Sequence, residues 1–306
     1  MTADSGAAHW LVTGAAGMLG QDVLAVLADA GIKATGLGRA DLDITDPAAV
    51  RAAVDGVGVV VNCAAWTDVD GAETAEDAAT AVNGAAVRVL AAACAAAGAR
   101  LLHISTDYVL PGDASQPYGE DARTSPVNAY GRSKLVGEQA VAELLPHDGY
   151  VVRTAWLYGE HGPNFVATML KLAAQRDTLD VVDDQHGQPT WSYALARRLV
   201  ELGLAALDGR APGGVYHGTA SGRTTWLGLA RESYRLSGLD PERIRPTTSA
   251  AFVRPAVRPS FSVLAHDRWA AAGLPPLPDW RDQLTEALAT PGFTALSRTA
   301  RDGRAG

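Results

Sequence analysis

A glycine-spaced turn near the amino terminus constrains this chain more than any other feature. Residues 10–13 form a short apolar run, and Gly14-Ala15-Ala16-Gly17-Met18-Leu19-Gly20 leads from it into a helical pattern carried by Val23, Leu24, Val26 and Leu27. Strand, glycine turn and helix in that order open a parallel nucleotide-binding sheet. Gly14, Gly17 and Gly20 permit a tight turn, close approach of backbone to a pyrophosphate, and close passage of the helix over the strand. The amides of Met18 and Leu19, at the positive end of that helix, would face the phosphates. Glycines that merely end one element and begin another are the bland alternative, and the agreement of spacing with placement argues against it.

The same alternation continues downstream. Residues 32–37 read as the next strand and are followed by Gly38-Arg39, where a dinucleotide fold inspects the adenosine ribose. An acidic residue there would hold both ribose hydroxyls of NADH; Arg39 instead favours NADPH, its guanidinium pairing with a ribose phosphate. An ordinary surface arginine is the competing reading. Asp43 can reach an adenine amine while Ile44 packs the ring, which keeps NADH open. Residues 57–61 form a third strand candidate, ending at Cys63, Ala64 and Ala65, whose small side chains leave room for a dinucleotide. A helix over 85–97, a strand over 100–104, a helix over 131–145 and a strand over 150–156 complete the first half. This order predicts an α/β fold with a Rossmann-like doubly wound parallel sheet.

Hydroxyls then gather near a tyrosine and a lysine. Ser105 and Thr106 end the fourth strand candidate, and Tyr130 and Lys134 stand four apart, on one face of a helix. The ammonium of Lys134 is expected to favour the phenolate of Tyr130 and make it a better acid than a free tyrosine at ~10. Lys134 would also hold the nicotinamide ribose. Thr106 would donate to a carbonyl oxygen while Tyr130 supplies its proton. His103, inside an apolar strand, reads as a core residue rather than an acid or base; His186 fits a cleft border and a plain loop equally. No spacing of His, Cys and carboxylates suggests a metal. Cys63 and Cys94 lack metal or redox spacing and read as buried thiols.

Taken together these motifs resemble the dTDP-4-dehydrorhamnose reductase family of the extended short-chain dehydrogenase/reductases. The resemblance spans nearly the whole chain, through Val12–Gln21, Asp41-Leu42-Asp43-Ile44, residues 62–70, Ser105-Thr106-Asp107-Tyr108-Val109, Tyr130-Gly131-Arg132-Ser133-Lys134, residues 153–159, Asn164-Phe165 and residues 184–190. It implies NADPH-dependent reduction, with NADH tolerated, of the C4 ketone of a dTDP-linked keto-deoxysugar, above all dTDP-4-dehydro-L-rhamnose. It implies Thr106, Tyr130 and Lys134 as catalytic residues and adds Thr67 to the cofactor contacts. Trp156 is implied as the sugar-contacting tryptophan, with Asp107 and Tyr108 opposite. Related sugar dehydratases carry an acidic pair after the threonine; Tyr108 breaks that pair here, which favours reduction. Other deoxysugar ketoreductases (dihydrostreptose among their products), sugar-nucleotide epimerases and the non-catalytic regulatory subunit of methionine adenosyltransferase are the alternatives within reach of the resemblance.

The resemblance also implies a smaller α/β substrate-binding domain built from separated segments, with the nucleotide domain over 1–160 and again 183–220, and the substrate domain over 161–182 and mainly 221–306. Helices over 165–174, 223–236 and 280–289 and an extended run over 178–182 fit the latter. Residues 193–207 and 215–218 would return to the nucleotide domain. Arg254 and Arg258, in a proline-rich segment without helix propensity, suit either the substrate diphosphate or surface acids. Trp226 and Trp269 read as packing residues. With 306 residues, 47% of them apolar, the chain can bury a full core. A net charge of −8 disfavours nucleic acid. The start lacks an export signal, and the longest apolar stretch, 89–99, is about half a membrane helix. The expected setting is cytoplasmic and off the membrane, as a monomer or a homodimer.

Overall fold

In the computed structural model, which describes residues 8–302, six strands form one parallel sheet. They are β1 (Trp10–Thr13), β2 (Ala34–Leu37), β3 (Val59–Asn62), β4 (Arg100–Thr106), β5 (Gly149–Thr154) and a last strand, Gly214–His217. From one edge to the other the order is Gly214–His217, β5, β4, β3, β1, β2, with every ladder parallel. β1 lies inside the sheet and the strands wind outward from it to both sides, as expected for a doubly wound fold. β1, β3 and β5 are buried along their whole length, because helices cover both faces.

On one face lie α1 (Met18–Asp29) and, much later in the chain, the helix Ser192–Leu207; they bury Val23, Leu27, Leu195 and Leu199 against Trp10, Val12, Val61 and Leu102. On the other lie α2 (Pro47–Val54), α3 (Glu76–Thr80) with α4 (Ala86–Ala97), and α5 (Ala129–Leu144). Val50, Val87, Leu90 and Val141 there meet Leu11, Val60, Leu101 and Val151. Alternate strand residues thus serve opposite cores. α2 is absent from the sequence expectation, although Asp46 accepts from the amides of Ala48 and Ala49 and Pro47 occupies the first helical position, both ordinary helix starts.

α3 and α4 are joined by a π-helical turn, Ala81–Ala85, into one continuous helix. It is longer than the apolar stretch 89–99 suggests: Glu76–Ala97 is long and apolar enough, by length and composition, to cross a membrane, and half of that window is buried within the protein. α5 starts two residues before the expected 131, because the Asn128 side chain accepts from the Gly131 amide at 2.8 Å. Tyr130 therefore lies in its first turn.

A second apolar core forms from later segments. α6 (Phe165–Ala173), α8 (Trp226–Leu236), α9 (Trp280–Leu288) and α10 (Pro291–Asp302) enclose Val166, Leu170, Leu229, Leu284 and Phe293, continuous with Tyr234 and Ile244. Ser192–Leu207, in chain order α7, and Gly214–His217 interrupt these segments by returning to the main sheet. A parallel pair, Leu179–Val182 with Ile244–Thr247, and an antiparallel pair, His186–Gly187 with Thr224–Thr225, complete the unit. The latter pairing explains why α8 starts at Trp226 rather than 223: Thr224 and Thr225 are held in a ladder, and Thr225 then caps the Gly228 amide at 3.1 Å.

Candidate active site

The carboxyl ends of β1, β3 and β4 open to the same side, and the loops leaving them build the site. Gly14 has φ +66, and a Cβ there would stand 2.5 Å from the Ala64 nitrogen, so both conformation and space demand glycine. A Cβ on Gly20 would fall 2.4 Å from the Gly14 oxygen, which lets α1 press on the turn. Gly17 is the N-cap, and no side chain caps the first turn, leaving the amide end of α1, at Met18 and Leu19, to an incoming anion.

Other expected cofactor residues are distributed around this turn. Arg39 is exposed just beyond β2, and Cys63, Ala64 and Ala65 line the exit of β3 at intermediate exposure, with Thr67 exposed beyond them. Asp43 is already engaged: its Oδ1 accepts from the Thr45 amide at 2.9 Å and the Thr45 hydroxyl at 2.7 Å, and these bonds hold its pKa below the usual carboxylate value. Ile44 belongs to the core beneath the sheet.

Thr106 closes β4. Its Oγ1 accepts from the Tyr108 amide at 3.1 Å and donates to Asp107 Oδ1 at 2.9 Å. Tyr108 and Tyr130 meet edge to face, with ring centroids 5.9 Å apart. The α5 turn carrying Tyr130 can come this close because residue 131 is glycine; a Cβ there would overlap the Tyr108 carbonyl oxygen at 2.1 Å. Burial pushes the Tyr130 phenol up, the charge of Asp107 adds to the rise, and hydrogen bonding with Thr106 opposes it. Burial also pushes the Asp107 carboxyl up to about 6.

Lys134 departs from expectation. It is buried and on the predicted helix face, but Nζ donates to the Ile104 carbonyl at 2.6 Å and lies 3.5 Å from His103 Nε2. The Tyr130 phenol is raised rather than lowered, with burial as the main cause, while the Lys134 amine is drawn to a backbone acceptor of β4. Burial lowers Lys134 itself to about 8, against the opposing charge of Glu138.

Several supporting residues escape sequence reasoning. Asn83, in the π-helical turn, accepts from the Trp66 amide at 2.9 Å and donates to the Ser133 hydroxyl at 2.9 Å, tying the β3 exit loop to α5. Glu73 accepts from the Ala129 amide at 2.8 Å. Glu138 bonds the Ser105 hydroxyl and, through both oxygens, Arg153. Polar residues inside otherwise apolar strands and helix faces were the available signal. Their partners were not.

Beyond β5, Trp156 has φ +49 and stacks on Trp226, a packing contact for Trp226; Trp269 is buried packing, its Nε1 donating to the His217 carbonyl. Arg254 and Arg258 both turn to Asp70, at 3.5 and 3.1 Å, and Arg258 lies over the Tyr108 ring at 5.9 Å. Of the two readings of these arginines, this structure displays the acid-paired one. His186 is exposed on a short edge strand. His103 is a buried core residue. Among the described residues no cluster of three or more His, Cys, Asp or Glu side chains is arranged to hold a metal ion.

Comparisons with known proteins agree with the fold. The family described as RmlD substrate binding domain matches residues 8–292. The chain is similar to the dTDP-4-dehydrorhamnose reductase of Streptomyces griseus, 59% identical over 92% of this chain and 93% of that protein. It is similar to the dTDP-4-keto-6-deoxy-D-glucose reductase of Streptomyces niveus, 52% identical over 92% and 96%. Among solved structures it is similar to the dTDP-4-dehydrorhamnose reductase of Bacillus anthracis in complex with NADP, with a TM-score of 0.86 and 33% identity over 92% and 98% of the two chains.

Proposed function

The chain belongs to the RmlD substrate binding domain family, and from that premise we propose that it reduces the C4 ketone of a dTDP-4-keto-6-deoxyhexose with NADPH, converting dTDP-4-dehydro-L-rhamnose to dTDP-L-rhamnose. One observation carries the assignment of chemistry to residues: Tyr130, Thr106 and the Gly14 turn converge at one end of the sheet.

The residues present fit NADPH. The left-handed Gly14, the close contacts at Gly20 and the uncapped start of α1 form a cradle that side chains would fill, and Arg39 stands beyond β2 for a ribose phosphate. When bound, NADPH supplies the hydride.

Tyr130 donates its phenolic proton to the ketone oxygen. Its raised pKa keeps it protonated in the resting protein; transfer becomes favourable only as negative charge develops on that oxygen. Thr106 Oγ1 turns from Asp107 to donate a hydrogen bond to the same oxygen. Lys134 holds the ribose hydroxyls from beneath β4. Trp156, Asp107 and Tyr108 border the sugar, and Arg254 and Arg258 exchange Asp70 for the substrate diphosphate. The second apolar unit covers the ligand and excludes water.

The test is Tyr130→Phe, assayed by NADPH oxidation on dTDP-4-keto-6-deoxysugars with the product configuration read by NMR. Turnover should fall at least about 100-fold while both ligands still bind. Near-parental turnover would reject the role of Tyr130.

A further inference from the structure

Thr13, Asn62 and His103 occupy one row across three adjacent strands: Thr13 is in register with Asn62, and Asn62 with His103. All three are buried. Thr13 Oγ1 donates to Asn62 Oδ1 at 2.7 Å, and Asn62 lies 2.9 Å from His103 Nδ1 through its Nδ2. Asn62 Oδ1 also accepts from the Ala64 amide at 3.2 Å. With its oxygen committed to two donors, the amide presents N–H to the imidazole. Nδ1 must therefore accept, and the hydrogen of the neutral ring sits on Nε2. That nitrogen faces Lys134 Nζ at 3.5 Å.

We infer that His103 is a positioning residue for Lys134: its tautomer, locked by Asn62, turns an N–H rather than a lone pair toward the amine and so favours release of the lysine proton. Two facing donors repel, whereas a neutral amine offers a lone pair to the same N–H. The row also joins the amine mechanically to the cofactor cradle, since Thr13 precedes Gly14 and Asn62 holds Ala64. This inference rests on the proposed role of Lys134 at the nicotinamide ribose.

The surrounding charges agree with the geometry. Burial keeps His103 neutral, its pKa well below the usual imidazole value. Glu138, one turn along α5, favours the ammonium, yet burial outweighs it. The Cys63 thiol is pushed up to about 12 and the Tyr130 phenol is pushed up as well. Lys134 is thus the member of this cluster that titrates in mildly alkaline solution.

NADPH dissociation constants, measured by cofactor fluorescence from about pH 6.5 to about pH 9.5, test this beside thermal unfolding of each protein. The parent should lose affinity on the alkaline side with a midpoint near about 8. His103→Gln places an amide at the Nε2 position, free of Asn62 and able to turn its oxygen to the ammonium. Asn62→Asp reverses the tautomer while keeping the imidazole, so Nε2 offers its lone pair. In either folded variant the midpoint should move up by about one pH unit, a tenfold change in proton affinity. A flat parental profile, or an unmoved or lowered midpoint in a variant that unfolds like the parent, overturns the inference. If the unmodified protein binds NADPH but reduces no dTDP-4-keto-sugar, the proposed reaction fails instead, and the pH dependence of binding still judges His103.

Discussion

The indoles of Trp156 and Trp226 are stacked, with centroids 3.6 Å apart and planes inclined by 11°. Trp156 is also the one non-glycine residue with positive φ among those described, a conformation that costs on the order of 1–3 kcal/mol. Gly187 yields space on another side: a Cβ there would approach Trp156 Cε2 to 2.5 Å. Trp226 is held in turn by its Nε1 hydrogen bond to Gln185 at 3.0 Å. An unfavourable backbone is thus kept by packing, which leaves the indole proposed to border the sugar with little freedom. Loss of an aromatic partner worth about 1 kcal/mol or more should be felt by the sugar before the cofactor. Trp226→Ala is expected to raise KM for the keto-sugar about tenfold with NADPH affinity unchanged, and Trp226→Phe to recover most of it. Steady-state kinetics with direct NADPH titration checks this; equal losses for both ligands would contradict it.

Glu138 and Arg153 make a bidentate ion pair in the interior, with side chains 6% and 4% exposed. Removing one charge leaves the other buried without its counter-ion, at a cost of about 3–5 kcal/mol. Glu138→Gln should lower Tm by roughly 10 °C. Pairing it with Arg153→Met should restore part of the loss. Calorimetry of both proteins decides, and a parental Tm for the single variant would refute the argument.

Asp107 carries a stability penalty that depends on pH. Its pKa is raised from 3.8 to about 6 in the folded protein, so the folded state binds the proton more readily than the unfolded chain. The associated stability is fully present below the unfolded value and is lost as pH rises through about 6. Asp107→Asn should therefore gain up to about 3 kcal/mol near pH 8, with the gain shrinking toward pH 4. Thermal unfolding across that range should show the convergence. A gain independent of pH would not fit.

Arg39 is exposed just beyond β2 and is the residue proposed to pair with the ribose phosphate. Arg39→Ala should reduce the preference for NADPH over NADH by about tenfold, the scale of one charge-assisted contact. The ratio of kcat/KM for the two cofactors is the measurement, and an unchanged ratio would dismiss Arg39 as the selector.

The strand–turn–helix from Trp10 into α1 was legible because its requirements are local. Left-handed φ at Gly14 and close contacts at Gly20 leave few residue choices, and periodicity sets the flanking elements. The helical spacing of Tyr130 and Lys134 was legible for the same reason. α2 was missed although Asp46-Pro47 marks its start, because only two of its eight residues, Val50 and Val54, are buried and the apolar stripe is short. Asp70 and Arg254 are 184 residues apart; nothing near either one in the chain announces the pairing. The same holds for Asn62 and His103, adjacent only because β3 and β4 pair in that register.

By itself, then, the sequence determined the alternating elements, the glycine cradle, and a tyrosine and lysine on one helix face. Those features follow from backbone freedom and helical or strand periodicity over a few residues. Only the tertiary structure decided that Lys134 is drawn to the Ile104 carbonyl, that Trp226 backs Trp156, and that Asp70 receives both arginines. A side chain's direction and proton affinity are set by the partners and burial that folding brings from distant parts of the chain, and no local pattern encodes them.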